Sequence, residues 1–290
     1  MPGKLMRNDS ASAMHDADSV ACSGALRKMR VQATCPVSYK LPVGDTEFPI
    51  DQKLGQQINL EFTGEINCIA CGRSTNKSFA QGYCFPCFRS LAECDMCIMR
   101  PETCHYHAGT CRDSSWGDRH CMQDHYVYLA NSSAIKVGIT RGTQIPTRWI
   151  DQGATQAIVV FKVKNRFHSG LIEVALKKHV SDRTDWRKML KGEAEFTDLV
   201  AARDEILDRA KTDLENIQRA NPGLEWQQLD EAPLNFTYPV QNYPDKVTSL
   251  NFDKTAKISG QLQGIKGQYL ILDCGVLNIR KFAGYNVSVI

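Results

Sequence analysis

Two Cys-x-x-Cys pairs, twelve residues apart, restrict this chain more than any other feature. Cys68-Ile69-Ala70-Cys71-Gly72 is followed by Gly82-Tyr83-Cys84-Phe85-Pro86-Cys87. A tetrahedral zinc ion takes four thiolates at about 2.3 Å, and each Cys-x-x-Cys turn offers two of them from one knuckle. Two knuckles complete the shell. With no coordination position left open, such a site is structural, and Ile69, Phe79, Phe85 and Phe88 are the apolar residues available to pack around it. A redox dithiol is the competing reading, and two paired units at this spacing argue against it.

Nine of the twelve cysteines fall between Cys68 and Cys121. Clustering of this kind favours metal over disulfides, and the Ser-, Ala- and Asp-rich start lacks the apolar run of a secretory signal. Nor does any stretch approach the roughly 20 apolar residues needed to span a bilayer. The expected address is therefore cytoplasmic, with no membrane partner. Beyond the first quartet lie Cys94, Cys97, Cys104, His105, His107, Cys111, His120, Cys121 and His125, more candidate ligands than one ion can use. Cys94, Cys97, Cys104 and Cys111 are the preferred set for a second zinc, with His107, His120 or Cys121 as replacements. An iron–sulfur cluster would also accept four such cysteines, and the histidines within the cluster favour zinc. Cys22, Cys35 and Cys274 read as free thiols.

Charge is uneven along the chain. From Tyr126 to Lys191 there are 12 Lys/Arg against 4 Asp/Glu, a surplus of +8, whereas the whole chain carries only +3. That asymmetry suits contact with a polyanion; a merely solvated basic face is the alternative. Within the same stretch, His125–Ala130 and Ile135–Thr140 are β-prone runs around the turn Asn131-Ser132-Ser133, which reads as a hairpin. Arg148 follows, then a strand at Ala157–Val163 and a helical run from Leu171 to Lys178 carrying Glu173. Glu193 to Arg219 has the three- and four-residue apolar steps of a long amphipathic helix, stopped by Asn221-Pro222-Gly223. Residues 25–66 and 221–290 are rich in β-branched and alternating segments, expected to pair in one antiparallel unit.

The order hairpin, arginine, strand, glutamate-bearing helix resembles the GIY-YIG nuclease domain, in its divergent branch where the second motif reads Lys-Val-Gly. The resemblance implies that Tyr128 is the first-motif tyrosine, Gly138 the second-motif glycine, Arg148 a phosphate ligand, and Glu173 the holder of one Mg or Mn ion. Arg141, Lys177 and Lys178 would contact nucleic acid. Two positions depart from the motif: Tyr126 stands where the first glycine would be, and Lys136 where the second tyrosine would be. A lysine there can act as a base if its pKa is depressed, or contact phosphate directly. The stretch around Cys68–Ala92 similarly resembles treble-clef zinc modules. From about Gly24 onward, motifs such as GYCFPCF, CDMCIMRPETCHYH and KVGITR resemble a bacterial family classed as a domain of unknown function.

These readings give an α+β chain with a flexible tail over 1–24, a β-rich segment over 25–66, and a cysteine-rich zinc module over 67–124. A GIY-YIG-like α/β domain with its following helix occupies 125–220, and a β-rich segment over 221–290 pairs with 25–66. The leading expectation is a zinc-stabilised nucleic-acid-processing protein, and the resemblance implies a Mg-dependent phosphodiester endonuclease of divergent GIY-YIG type. A non-catalytic nucleic-acid- or ribosome-binding scaffold is the runner-up, and a zinc-mediated protein-interaction module the third.

Overall fold

The computed structural model describes residues 21–290. Most of the expected N-terminal tail lies outside the described residues, and its last three positions belong to a strand instead: Cys22–Ala25 forms β1, which pairs with the open edge of the C-terminal strand. The N-terminal segment continues with β2 (Arg30–Gln32), β3 (Ser38–Val43), β4 (Thr46–Phe48) and β5 (Gln57–Ile66). The cysteine-rich stretch follows with only two short helices, α1 (Phe85–Ser90) and α2 (Ser114–His120), among single 3-10 turns. Then come β6 (His125–Asn131), β7 (Ile135–Arg141), α3 (Thr147–Asp151), β8 (Gln156–Val163), α4 (Arg166–Leu176), α5 (Trp186–Met189) and α6 (Leu199–Ala220). The chain closes with β9 (Trp226–Gln228), β10 (Leu234–Asn235), β11 (Lys257–Lys266), β12 (Tyr269–Leu272), β13 (Gly275–Asn278) and β14 (Tyr285–Val289).

Three sheets result. The largest runs β1-β14-β5-β11-β12-β13, so strands from both ends of the chain alternate in it, with β5 between β14 and β11. The second runs β10-β8-β6-β7, with β9 also on β8. The third is the small β2-β3-β4 meander. The protein is thus a mixed α/β molecule with several sheets. None of the helices among the described residues is long and apolar enough to cross a membrane.

The second sheet, the central one of the fold, is buried on both faces, which explains why β6 and β8 are nearly continuous apolar runs. Side chains alternate across a strand. Val127, Leu129, Val137, Ile139, Ile158 and Val160 accordingly meet Ile172, Leu176, Ile206, Ala210 and Leu214 of α4 and α6. Tyr128, Ala130, Ala157 and Val159 face the other way and join Trp149, Leu262, Ile265 and Leu270 in the core shared with the largest sheet. The proline-rich crossing after α6 is anchored there, with Phe236 and Tyr238 buried and the Tyr238 hydroxyl donating to the Ala154 carbonyl at 2.7 Å.

Helix α6 begins six residues later than its apolar pattern suggests. Asp198 caps it, accepting from the amides of Val200 and Ala201, the role for which a short carboxylate is favoured. Residues 195–197 bond instead to the central sheet, through Asn131 Nδ2 to the Glu195 carbonyl at 2.8 Å and the Thr197 amide to Gln156 Oε1 at 3.0 Å. Phe196, expected on the buried stripe, is 82% exposed.

Candidate functional site

The hairpin places Tyr128 opposite Gly138 on adjacent strands. A Cβ at Gly138 would fall 2.6 Å from the Tyr128 hydroxyl, so only glycine lets the phenol lie across β7 at this point. The ring is fully buried, edge-on to Trp149 at 5.8 Å, and its hydroxyl donates to Gln152 Oε1 at 3.0 Å. Burial raises the phenol pKa, with Arg148 pulling it back only in part. Tyr128 is therefore a neutral hydrogen-bonding group, not a phenolate.

Lys136 and Arg148 approach the same space. Lys136 is buried on the Tyr128 side of β7, and its Nζ donates to Thr184 Oγ1 at 2.6 Å. Burial, reinforced by the nearby Arg148 charge, lowers its pKa to about 8. Arg148 sits on α3, one turn before Asp151. That carboxylate is engaged elsewhere, by Lys28 Nζ at 2.8 Å and Gln268 Nε2 at 2.9 Å, so the local Arg148–Asp151 pair that sequence proximity suggests is not made.

Helix α4 supplies the acid. Glu173 is largely buried, which raises its pKa, and Lys177 one turn on lies 3.8 Å away. Arg166, at the start of the helix, donates through Nη2 to the Ile98 carbonyl at 2.6 Å and leaves Nε buried without a partner. The cysteine-rich segment presses directly on this helix: a Cβ at Gly170 would fall 2.6 Å from the Glu102 amide and 2.7 Å from Pro101.

Together these residues line one open cleft of about 450 Å³. Of the residues singled out from sequence, Tyr128, Lys136, Arg141, Arg148, Glu173 and Lys177 are on its wall. Lys178 is not: it turns away and pairs with Asp213 at 2.5 Å. Lys28, Arg166 and Arg280 join the wall from other segments. Seven basic side chains thus face three acidic ones, Asp151, Glu173 and Asp182, a formal surplus of +4 with Lys136 charged. Arg280 is pushed below its usual pKa by burial and by Arg148 beside it. Two guanidiniums on one cleft wall favour an anion in the cleft. Lys28 and Arg280 are remote from the hairpin in sequence, and nothing in their local context marks them.

The first cysteine quartet is compact. Ligand atoms of Cys68, Cys71, Cys84 and Cys87 all lie within 4.8 Å of one another, and the sulfurs of Cys71 and Cys84 are 3.8 Å apart. A tetrahedron with bonds of about 2.3 Å has an edge of about 3.8 Å. Burial works against ionisation of Cys68, yet the amides of Cys84, Cys71 and Ala70 outweigh it and bring its pKa down to about 6. These four residues can bind a metal ion such as zinc. Phe79 packs on Phe85 and Phe88 beside them, with ring centroids 5.4 and 5.7 Å apart.

The second group departs from the preferred set. Cys97, Cys104, Cys111 and Cys121 line one small cavity, together with Asp95 and His105, and Cys94 does not. His120 stacks on Trp116 and bonds the Trp116 carbonyl, and neither it nor His107 reaches the cavity. Asp95, Cys97 and His105 form a second close group of potential ligand atoms.

Fold and site define a mixed α/β protein with a four-cysteine cluster. A family model described as protein of unknown function (DUF2797) matches residues 55–287, and the chain belongs to that family. No curated protein and no solved structure matches it.

Proposed function

We propose that this protein is a zinc-stabilised nucleic-acid-processing protein whose cleft cuts phosphodiester bonds in the manner of a divergent GIY-YIG nuclease. The observation that carries the reading is the meeting of Tyr128, Arg148 and Glu173 on one basic cleft. The succession of β6, β7, α3, β8 and α4 supports a GIY-YIG-like assignment of this segment. Two cysteine knuckles followed by α1 support a treble-clef-like assignment of the first metal site.

Phosphodiester cleavage needs an activated water, positive charge over the non-bridging oxygens and help for the leaving group. Arg148, with Arg280 beside it, binds the phosphate. Lys136, whose pKa is brought to about 8, is neutral in a useful fraction of molecules at mildly alkaline pH and takes the water's proton. Tyr128, held neutral, orients the phosphate or the water by hydrogen bonding. Glu173 would hold a divalent cation, Mg or Mn, which there supplies charge to the phosphoryl oxygens; a buried carboxylate with a raised pKa gains from such a neighbour.

Incubation of the purified protein with plasmid, single-stranded DNA and structured RNA, with Mg²⁺ or Mn²⁺, tests this. Cleavage is expected, reduced by about 100-fold or more in Arg148→Ala and Glu173→Ala. No cleavage of any substrate, or cleavage that survives both substitutions, refutes it. One observation favours the second reading, a binding scaffold without turnover: Lys136 is already hydrogen-bonded to Thr184. That reading gives binding that weakens steeply with salt and leaves the substrate intact.

A further inference from the structure

We propose a second, metal-independent activity of the same cleft: Lys136 attacks the C1′ aldehyde of a deoxyribose that has lost its base, and the DNA strand breaks by elimination. The proposal rests on reading the cleft as a nucleic-acid site, and it makes no use of a divalent cation.

Three lysines line the cleft, and carboxylates hold two of them. Lys28 lies 2.8 Å from Asp151, and Lys177 lies 3.2 Å from Asp182 and 3.8 Å from Glu173. Lys136 is different. Its Nζ donates to the hydroxyl of Thr184, which in turn is 3.0 Å from Ser132 Oγ, and among the described residues no carboxylate pairs with it. The amine is thus buried in the wall, held in place by a neutral partner and left without a counterion. With its pKa brought to about 8 by burial and by Arg148, it is in the state in which a lysine adds to a carbonyl.

The wall also suits a sugar better than a base. Among the described residues lining it Tyr128 is the only aromatic one, and that ring is fully buried, so no free aromatic face is offered for a base to stack on. Arg148 and Arg280 supply positive charge for the phosphates, and Ile98, Met99 and Pro101 an apolar side for the deoxyribose. A base-less sugar flanked by two phosphates meets these surroundings with nothing left over.

The reaction balances without oxidant or reductant. The Nζ lone pair forms a bond to C1′, protons pass to the carbonyl oxygen, the C1′–O bond breaks, and water leaves a protonated imine. Glu173, on the same wall, takes a proton from C2′ as general base. A C2′=C3′ double bond forms while the C3′–O bond breaks, and the phosphate leaves with the electron pair toward Arg148. Water then hydrolyses the imine, restoring the lysine and releasing an unsaturated aldehyde.

The test incubates the full chain, in EDTA, with an oligonucleotide carrying one abasic site, with and without sodium borohydride, which reduces an imine to a stable amine. Nicking at the abasic site is expected without borohydride, and with it a protein–DNA adduct that mass spectrometry maps to Lys136. Lys136→Met and Lys136→Arg, the second of which keeps the charge, should both lose the adduct. Absence of an adduct from the native protein, or an adduct on other lysines that survives Lys136→Arg, overturns the proposal. An intact oligonucleotide with Mg²⁺ or Mn²⁺ separates the two activities: its cleavage without any adduct sinks the imine chemistry alone, whereas nicking and trapping in EDTA without cleavage of the intact strand sink the metal-dependent nuclease alone.

Discussion

Replacing Lys136 by Met should make the protein more stable at neutral pH while removing the cleavage proposed above. The ammonium group is buried, and its pKa falls from 10.5 to about 8. At about 1.4 kcal/mol per pH unit, holding it charged in the folded state costs about 3 kcal/mol at pH 7. Loss of the hydrogen bond to Thr184 returns about 1 kcal/mol, so the net gain for Lys136→Met is about 2 kcal/mol. Between pH 8 and 10.5 the unfolded chain binds more protons at this position than the folded one. Wild-type stability from this group therefore rises with pH across that window, and the advantage of the variant shrinks. Urea denaturation of both proteins at pH 7, 8.5 and 10 measures the gap directly, because other titrating groups cancel in the difference. A variant less stable than wild type at pH 7, or a gap that stays constant with pH, would refute this account of the lysine. A residue that costs the fold this much is expected to be kept for its chemistry.

Two further outcomes follow from the geometry of the cleft. Gly138→Ala should cost about 1–3 kcal/mol by overpacking and lower cleavage by about tenfold or more, since the added Cβ displaces the Tyr128 hydroxyl; denaturation and initial-rate measurements check both. Lys178→Ala should leave cleavage within about twofold of wild type while Lys177→Ala reduces it, because only Lys177 is on the cleft wall; rates at low ionic strength, where surface charges act most strongly, give the sharpest comparison.

Short-range signals in the sequence were legible and long-range ones were not. The first cysteine quartet could be read because ligand spacing within each knuckle is a local property, and the four ligand atoms lie within 4.8 Å of one another. The hairpin, too, is local, and its register from His125 opposite Arg141 to Asn131 opposite Ile135 follows from the turn. The start of α6 was misplaced because apolar periodicity extends to Phe196, whereas the boundary is set by a cap at Asp198 and by bonds to Asn131 and Gln156 on another element. Lys28 and Arg280 reach the cleft only because the largest sheet interleaves both ends of the chain. Likewise, the Cys-x-x-Cys spacing suggests Cys94 as a partner of Cys97, but only Cys97 lines the small cavity.

Helix α4 is gripped at its first turn by the cysteine-rich segment: the Arg166 amide donates to the Cys121 carbonyl at 2.9 Å and the Arg166 side chain to the Ile98 carbonyl. Two turns further along the same rigid rod stands Glu173. A displacement of the turns at Ile98 and Cys121 is therefore carried along the helix to Glu173, so that the cysteine-rich segment and the wall of the cleft are mechanically one piece.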